Sequence, residues 1–191
     1  QREIGISRWR PLRSKLQTGM KSAAPGARRP GSGLAVRRKG AGPILTTLDE
    51  FFKMGPGPSS SHTMGPMLIA RDFYLRIGKL APSVLRRATA VKVHLFGSLS
   101  ATGRGHGTDR AALAGLLGNS PASCTPDLLD GMARHPERTY RLMAGPARLQ
   151  VSLEDVVWDS TTGNFPHPNT MVLKLLAGHK VLLEEEYYSV G

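Results

Sequence analysis

Cysteine, long apolar runs and acidic residues near the N-terminus are all scarce in this sequence. Cys124 is the only cysteine among 191 residues, so residues 1–191 can form neither an internal disulfide nor a metal site built from several thiolates. No window approaches the roughly 20 consecutive apolar residues that a membrane-spanning helix needs. A signal-peptide pattern of basic residues followed by an apolar segment is also missing. These absences predict a soluble protein that does not bind a membrane.

The scarcity of acidic residues is confined to the N-terminal stretch. Residues 1–48 hold 11 Lys and Arg residues against Glu3 alone, a net charge of +10, whereas residues 49–191 hold 15 basic and 13 acidic residues, a net charge of +2. The first stretch is rich in Gly, Pro and Ser and has no apolar periodicity. We therefore predict a disordered basic extension over residues 1–45 and a folded domain over residues 46–191.

The function of the extension stays open at this point. An Arg-rich, Ser-containing and acid-poor N-terminus is typical of an organelle transit peptide, and it can also bind RNA through phosphate contacts. A stretch without function is the third alternative. Because the folded domain is almost neutral, nucleic acid is not the expected partner. The expected location is the cytoplasm.

Helical patterns come first in the folded domain and strand patterns come last. The segment TLDEFFKM carries a capping box, formed by Thr47 and Glu50, and predicts a short helix. Apolar spacing predicts further helices over about 63–80, over GTDRAALAGLLG and over TPDLLDGMARH. Alternation predicts strands in TAVKVHLFGS, ARLQVSL, DVVW, TMVLKLL and KVLLEEEYY, the last two joined as a hairpin. This order predicts an α+β fold.

The polar run in GPGPSSSHTMGPM is the first candidate site. We interpret the serines as a loop that caps the next helix, whose unpaired N–H groups favour a bound carboxylate or phosphate. The hydroxyls of Ser60, Ser61 and Thr63 add donors. The helix dipole disfavours a charged imidazole, so His62 stays neutral and is a candidate general base. The alternative is that the serines act only as caps and turn formers.

Two further polar loops carry histidine. TGRGHGTD reads as a glycine-rich turn that enters a helix, with His106 in the turn and Thr108 as the N-cap. It is not a phosphate-binding P-loop, because no Gly-Lys-Ser/Thr follows. FPHPNT places His167 and Asn169 just before a strand. A metal site of three histidines, one from each loop, is conceivable, although none of them has a closely spaced partner.

Four strings together carry a resemblance to a known family. GPGPSSSHTMGPM, HLFGSLSATGRGHGTDRAALAGLLG, FPHPNTM and EEEYYSVG occur in the order and approximate spacing of the N-terminal, or beta, domain of the iron-sulfur-dependent L-serine dehydratases. The resemblance covers about residues 48–191. That domain is similar in turn to the allosteric substrate-binding domain of some phosphoglycerate dehydrogenases, which agrees with the α+β prediction.

The resemblance implies a lyase that converts L-serine to pyruvate and ammonia with a 4Fe–4S cluster and without pyridoxal phosphate. In such an enzyme a base removes the α-proton of serine, while one iron of the cluster binds the β-hydroxyl. Carried onto matching positions, the resemblance implies that His62 is this base and that no residue of this chain binds metal. The substrate-binding residues it implies are Ser60, Ser61, Thr63, His106, Thr108, Asp109 and Asn169.

The resemblance also implies a partner. In this family the YYSVG string continues into a larger alpha domain that supplies the cysteine ligands of the cluster, whereas this sequence ends at Gly191. We therefore expect a fragment, truncated at its C-terminal end, that is inactive until an alpha domain or chain joins it, and a homodimer when complete. The alternative is a catalytically inactive module that binds serine or a hydroxy acid.

Overall fold

The computed structural model describes residues 35–40, 43–45, 59–161 and 165–190, in which helices dominate the first half and strands the second. The α+β prediction is therefore confirmed. The helical segments are the π-helix Ser60–Met64, α1 Gly65–Ile77, α2 Pro82–Leu85, α3 Ser98–His106, α4 Thr108–Leu116, α5 Pro126–Arg134 and the 3-10 turn Leu153–Asp155. The strands are β1 Ala35–Arg38, β2 Pro43–Leu45, β3 Ala90–Leu95, β4 Tyr140–Ala144, β5 Ala147–Val151, β6 Val156–Trp158, β7 Thr170–Ala177 and β8 Lys180–Val190.

Six strands of the described chain form one mixed sheet in the order β2-β1-β8-β7-β3-β6. Neighbouring strands in it are antiparallel except β3 and β6, which are parallel. Strands β4 and β5 form a separate hairpin. The predicted strands and the β7–β8 hairpin are confirmed, whereas β4 and the short helix α2 were not predicted.

One face of the sheet carries the hydrophobic core. Val93 lies opposite Leu173 and Leu95 lies opposite Met171 in the β3–β7 register. All four are fully buried, and the intervening residues of β3 are only half-buried. This is the period-two pattern of a strand with one face turned to the core. Helices α1 and α4 pack against each other and share this core.

The close approach of α1 and α4 depends on a glycine. A Cβ added to Gly115 would lie 2.2 Å from the carbonyl oxygen of Met67 and 2.9 Å from the Cβ of Ala70. Since real Cβ atoms do not come this close to a backbone oxygen, the two helices can touch only because position 115 carries no side chain. The contact fixes the helix that begins at the serine run against the helix that follows the second polar loop.

The predicted disorder of residues 1–45 does not hold for their last part. Strand β1 pairs with β8, and β2 pairs with β1, so this segment extends the main sheet. Composition could not reveal this, because the pairing is between backbone groups and the partner strand lies about 150 residues away. Residues 1–34, and the helix predicted from TLDEFFKM, lie outside the described residues.

The second polar loop is also different from its prediction. SLSATGRGH is a nine-residue helix, α3, rather than a glycine-rich turn. Gly103 lies inside it because a Cβ there would meet Thr108 and Trp158 at 2.7 and 2.9 Å, so this glycine permits packing rather than a turn. The turn is limited to Gly107, whose φ of +64° ends α3 and starts α4. Gly107, not Thr108, therefore occupies the N-cap position of α4.

The serine run is helical as well. Ser59 is extended and its side chain accepts a hydrogen bond from the N–H of His62, so a serine caps the helix as predicted. Ser60 and Ser61, however, lie within the π-helix and not in a loop. The α-helix that follows begins at Gly65 and ends at Ile77, which is shorter at both ends than the predicted span of about 63–80.

Candidate active site

His62 lies in the π-helix between the Ser59 cap and α1, and its residue is only 9% exposed. The N–H groups of Thr63 and Met64 both donate to the carbonyl of Ser59, at 2.9 and 3.4 Å, which widens this turn. Single π-turns inside or beside α-helices occur frequently at functional sites. The wide turn directs the imidazole of His62 towards α3.

Three hydroxyl groups surround the His62 ring. Nδ1 lies 2.9 Å from Oγ of Ser61. Nε2 lies 3.2 Å from Oγ of Ser98 and 3.0 Å from Oγ1 of Thr102, both on α3. Both ring nitrogens therefore have hydrogen-bond partners, and the orientation of the ring is fixed by two separate elements.

The environment of His62 favours the neutral imidazole. Burial lowers the pKa of His62, because the charged form loses hydration. A hydrogen bond that the ring donates to the backbone of Ser98 opposes the shift, and the nearby His106 adds to it, since the ring centroids lie 5.1 Å apart. A histidine whose pKa lies below its usual value is in the proton-accepting form at neutral pH, as a general base must be.

Thr63 and Thr108 hold the backbone of this turn. Oγ1 of Thr63 donates to the carbonyl of His106 at 2.9 Å, and Oγ1 of Thr108 donates to the carbonyl of His62 at 2.5 Å. Both threonines are buried. Their hydroxyl protons are thus already used to tie the π-helix to the junction of α3 and α4.

Ser189, on β8, connects the third polar loop to the same turn. Oγ of Ser189 donates to the carbonyl of Ser61 at 2.7 Å, and Nδ2 of Asn169 donates to the carbonyl of Ser189 at 3.1 Å. The loop also contacts the start of α3, where the N–H of Ser98 donates to the carbonyl of Pro168 at 2.8 Å. The three polar segments therefore contact one another in the structure.

Two polar atoms near this junction have no partner. Nδ1 of His106 and Oδ1 of Asn169 are buried side-chain atoms without a hydrogen bond among the described residues. A buried polar atom left unpaired costs free energy, about 1–3 kcal/mol, unless a ligand or water satisfies it. Both residues were predicted as substrate-binding from the sequence, so unpaired buried atoms occur at two of the predicted positions.

The remaining predicted residues have other surroundings. Ser60 is half-buried, and its carbonyl accepts from the N–H of Gly65. Oδ1 of Asp109 accepts from the N–H of Arg110 at 2.9 Å, and no described hydrogen bond joins Asp109 to His62. His167 accepts from the N–H of Asn169 at 3.0 Å. No group of three metal-binding side chains exists in the part of the chain that the structure describes, so the three-histidine alternative has no support.

Two surface clefts flank α3 without containing His62. One has a volume of about 490 Å³ and the other about 510 Å³. Neither cleft is lined by His62 or by any other histidine. The first cleft is lined by Gly97, Ser100, Ala101, Asp159, Ser160, Thr161 and Phe165, and the second by Arg104, Asp109, Pro136, Glu137, Leu153, Glu154, Val156 and Trp158.

Sequence reasoning missed three residues of the site: Ser98, Thr102 and Ser189. A signal for the first two was present, because Ser98, Thr102 and His106 are spaced by four residues and so lie along one face of a helix. The glycines of the segment hid this pattern, since they favoured a turn. Ser189 had no local signal, because it contacts Ser61 across 128 positions of the chain.

Comparison with known proteins decides the family. Residues 47–191 match the model of the serine dehydratase beta chain. The chain belongs to the serine dehydratase beta chain family. It is 38% identical over 149 residues to L-serine dehydratase 1 of Escherichia coli (strain K12), a match that covers 77% of this chain and 32% of that protein.

Two other members of the serine dehydratase family show the same extent of similarity. An L-serine dehydratase of Streptomyces coelicolor is 37% identical over 145 residues, and the match covers 74% of this chain and 31% of that protein. An L-serine dehydratase of Helicobacter pylori (strain J99) is 37% identical over 144 residues, with coverages of 73% and 30%. The matched segment thus spans about a third of the length of these relatives.

The iron-sulfur cluster that the resemblance implies does not fit the residues of this chain. Cys124 is buried in the loop before α5, and its Sγ lies 3.7 Å from the carbonyl oxygen of Thr125. Burial raises the pKa of its thiol, which disfavours the thiolate that a cluster ligand needs. One buried thiol cannot hold a cluster that requires several thiolates.

In the described residues no helix has the length and hydrophobicity to cross a membrane.

Proposed function

We propose that this chain is the serine-binding and proton-abstracting part of an L-serine ammonia-lyase. The observation that carries the proposal is the placement of His62: a buried imidazole with a lowered pKa, held by hydroxyls of Ser61, Ser98 and Thr102. The unpaired atoms of His106 and Asn169 supply sites for a polar ligand close to it. Family membership supports serine as that ligand, because the matched relatives are named L-serine dehydratases.

The ammonium and carboxylate groups of serine match polar atoms near His62. Nδ2 of Asn169 already donates to the carbonyl of Ser189, so the amide is oriented with Oδ1 free to accept from the α-ammonium of serine. Nδ1 of His106 binds a second polar group of the substrate. The backbone N–H groups of Ser60 and Ser61, at the start of the helix, bind the carboxylate, since the positive end of a helix dipole favours an anion.

Residues around the base have supporting parts in this proposal. Thr63 and Thr108 keep the π-helix against the α3–α4 junction through their bonds to the carbonyls of His106 and His62. Asp109 stabilises the first turn of α4, where a negative charge is favourable. A displacement of the base by even 1 Å lowers the rate, so these contacts matter although they do not touch the substrate.

The reaction is an elimination followed by hydrolysis. His62 takes the α-proton of serine, and the electrons of the Cα–H bond form the Cα–Cβ double bond as the Cβ–O bond breaks. The hydroxide that leaves and the proton removed together make one water. The resulting aminoacrylate becomes an imine, and its hydrolysis consumes one water and gives pyruvate and ammonia.

A second component must complete this site. Because the single buried thiol of Cys124 does not fit a cluster, we propose that a 4Fe–4S cluster is bound by cysteines of an alpha domain or chain outside residues 1–191. Pyridoxal phosphate is not part of the proposal. Without that component, residues 1–191 are expected to bind serine but not to release pyruvate.

The test combines binding with turnover. Calorimetric titration of the chain with L-serine, and with L-alanine as a control that lacks the hydroxyl, measures whether a serine site exists. Asn169→Ala should weaken serine binding at least tenfold. With a cluster-bearing alpha domain added, His62→Gln should lower the rate of pyruvate formation about 10²–10⁴-fold, the usual contribution of a general base.

A matched control is available in the same chain. His94 lies on β3 beside Asp159, outside the His62 cluster, so His94→Gln should leave turnover within about twofold. Near-normal pyruvate formation by His62→Gln would remove the central assignment. Loss of activity in both variants would point to a general structural effect of replacing histidine.

One observation favours a second candidate function. The polar atoms for a ligand are present, whereas thiolates for a cluster are not, and this is what a serine-sensing module would also show. Tight serine binding by the chain alone, together with no pyruvate after an alpha domain is added, supports the sensor. Binding that appears or strengthens with the alpha domain and is followed by turnover supports the lyase.

A further inference from the structure

Thr102 makes two contacts that together restrict where its hydroxyl proton can be. Its Oγ1 donates to the carbonyl of Ser98 at 2.9 Å, one turn earlier in α3. The same oxygen lies 3.0 Å from Nε2 of His62. Threonine in a helix commonly makes this bond to the carbonyl four residues before it.

A hydroxyl has a single proton. Because Thr102 gives its proton to the Ser98 carbonyl, only its lone pairs remain for Nε2 of His62. If Nε2 were also unprotonated, two lone pairs would face each other at 3.0 Å, beside a histidine that is itself only 9% exposed. The favourable arrangement has the proton on Nε2, donated to Thr102.

The other side of the ring agrees with this arrangement. With the proton on Nε2, neutral His62 carries its lone pair on Nδ1, 2.9 Å from Oγ of Ser61. Ser61 can then donate its hydroxyl proton to Nδ1. Oγ of Ser98 lies 3.2 Å from Nε2 and can accept the Nε2 proton in addition to Thr102. The Nε2–H tautomer does not depend on this second contact.

We propose that Thr102 is a positioning residue that holds His62 in the Nε2–H tautomer and so makes Nδ1 the atom that accepts a proton. The assignment of Nδ1 as the atom that takes the α-proton rests on the proposed function. The tautomer itself does not, because it follows from the contacts of Thr102 and His62 alone. Ser61 donates to the Nδ1 lone pair in the chain without substrate and turns away from it when Nδ1 accepts the substrate proton, whereas α3 contacts the opposite nitrogen.

Nitrogen NMR of the 191-residue chain, labelled with ¹⁵N-histidine, tests the tautomer without any assay of turnover. In a single tautomer the two ring nitrogens give well-separated resonances, whereas exchange between tautomers moves them together. Measured above the pKa of His62, the wild-type chain should show a protonated Nε2 and an unprotonated Nδ1. A protonated Nδ1 in the wild type would overturn the proposal.

Three variants assign the effect to Thr102. Thr102→Val removes the acceptor, so Ser98 can donate to Nε2 and the two resonances should converge. Thr102→Ser keeps the hydroxyl and should restore the wild-type pattern. Ser98→Ala removes the other oxygen near Nε2 and should leave the pattern unchanged. An unchanged pattern in Thr102→Val, or a changed one in Ser98→Ala, contradicts the assignment.

A replacement is available if Thr102→Val does not fold. If amide spectra show that Thr102→Val does not fold, Thr102→Ala, with a better helix former, replaces it. In the enzyme completed by an alpha domain, Thr102→Val should lower kcat with little change in KM, and Thr102→Ser should recover it. A wild-type tautomer as proposed with an inactive completed enzyme would contradict the proposed function while leaving the role of Thr102 intact.

Discussion

The His62 turn and the β3–β7 strand pair are both buried, but they are held together differently. Between β3 and β7 the register is continuous over six residue pairs, and the buried side chains are Val, Leu and Met. Around His62 the polar contacts are directed hydrogen bonds between nitrogen and oxygen atoms, and two buried polar atoms have no partner among the described residues. A core of many similar contacts tolerates exchange of one for another, whereas a site of few directed bonds does not.

The strand pair and the His62 turn control different properties of the protein. The strand pair contributes free energy through buried apolar area, roughly 25 cal/mol per Å², and its side chains carry no chemistry. The segments that contact the His62 turn contain two buried polar atoms without a partner among the described residues, which costs stability. Changes in the two regions should therefore separate stability from function.

The largest effect on stability is expected in the core. Leu173 is fully buried opposite Val93, so Leu173→Ala should lower the free energy of unfolding by about 2–5 kcal/mol, measured by urea denaturation. The ¹⁵N pattern of His62 should not change. Val181, 43% exposed on β8, is the control, and Val181→Ala should change stability by less than about 0.5 kcal/mol. Equal losses in both variants would contradict the core assignment.

A pair of glycines tests where close packing is required. Gly115→Ala brings a Cβ to 2.2 Å from the carbonyl of Met67 and should cost about 1–3 kcal/mol, because a backbone atom cannot easily move away. Gly105 lies in α3 with nothing within 4 Å of an added Cβ, so Gly105→Ala should stabilise by about 0.5–1 kcal/mol. Thermal denaturation of both variants checks this, and a shift of the same sign in both would refute it.

A site residue should affect both properties at once. Thr108→Val keeps the volume but removes the donor to the carbonyl of His62, leaving that buried oxygen unpaired at a cost of about 1–3 kcal/mol. Serine affinity should fall too, because the π-helix loses its anchor. The control is Thr139, an exposed residue, where the same change should alter neither quantity. Calorimetry measures serine affinity and urea denaturation measures stability in both variants. Normal serine affinity in a destabilised Thr108→Val would show that the role of Thr108 is purely structural.

The smallest effect is the pH dependence that His62 adds to stability. Its pKa in the folded chain lies below the usual histidine value of about 6.5, so just below that pH the unfolded chain binds a proton that the folded chain does not. The free energy of unfolding should therefore fall as the pH decreases from 6.5 to the folded pKa and then level off. His62→Gln should reduce this slope in urea denaturation series at several pH values. An identical slope in that variant would show that His62 is not perturbed.

Sequence patterns predicted the sheet better than the site because the sheet depends on local alternation. Val91, Val93 and Leu95 could be recognised as one face of a strand from their spacing alone. The helical state of α3 could not, since Gly103 and Gly105 weaken a helix by propensity and only the packing against Thr108 and Trp158 explains the first of them. Tertiary contact decided the outcome there.

The site could be predicted in its residue types but not in its bonds. His62 and the polar segments were recognised, whereas the links through Ser189 and the α3 hydroxyls needed the folded chain. The π-helix at residues 60–64 has no pattern of its own, because one extra residue in a turn leaves no periodic trace. The similarity to the phosphoglycerate dehydrogenase domain and the alpha partner stay predictions.

Strand β1 has a consequence for any shortened form of this protein. It precedes residue 47, where the family match begins, yet it pairs with β8 along the outer side of the sheet. A polypeptide cut to the matched segment would leave the backbone N–H and C=O groups of β8 open, and an open strand of that length recruits further copies into aggregates. Among the described residues the outermost strand on this side is instead β2, three residues that begin with Pro43, which offers little for another chain to extend. Strand β1 thus covers backbone groups of β8 that the matched segment by itself would leave exposed.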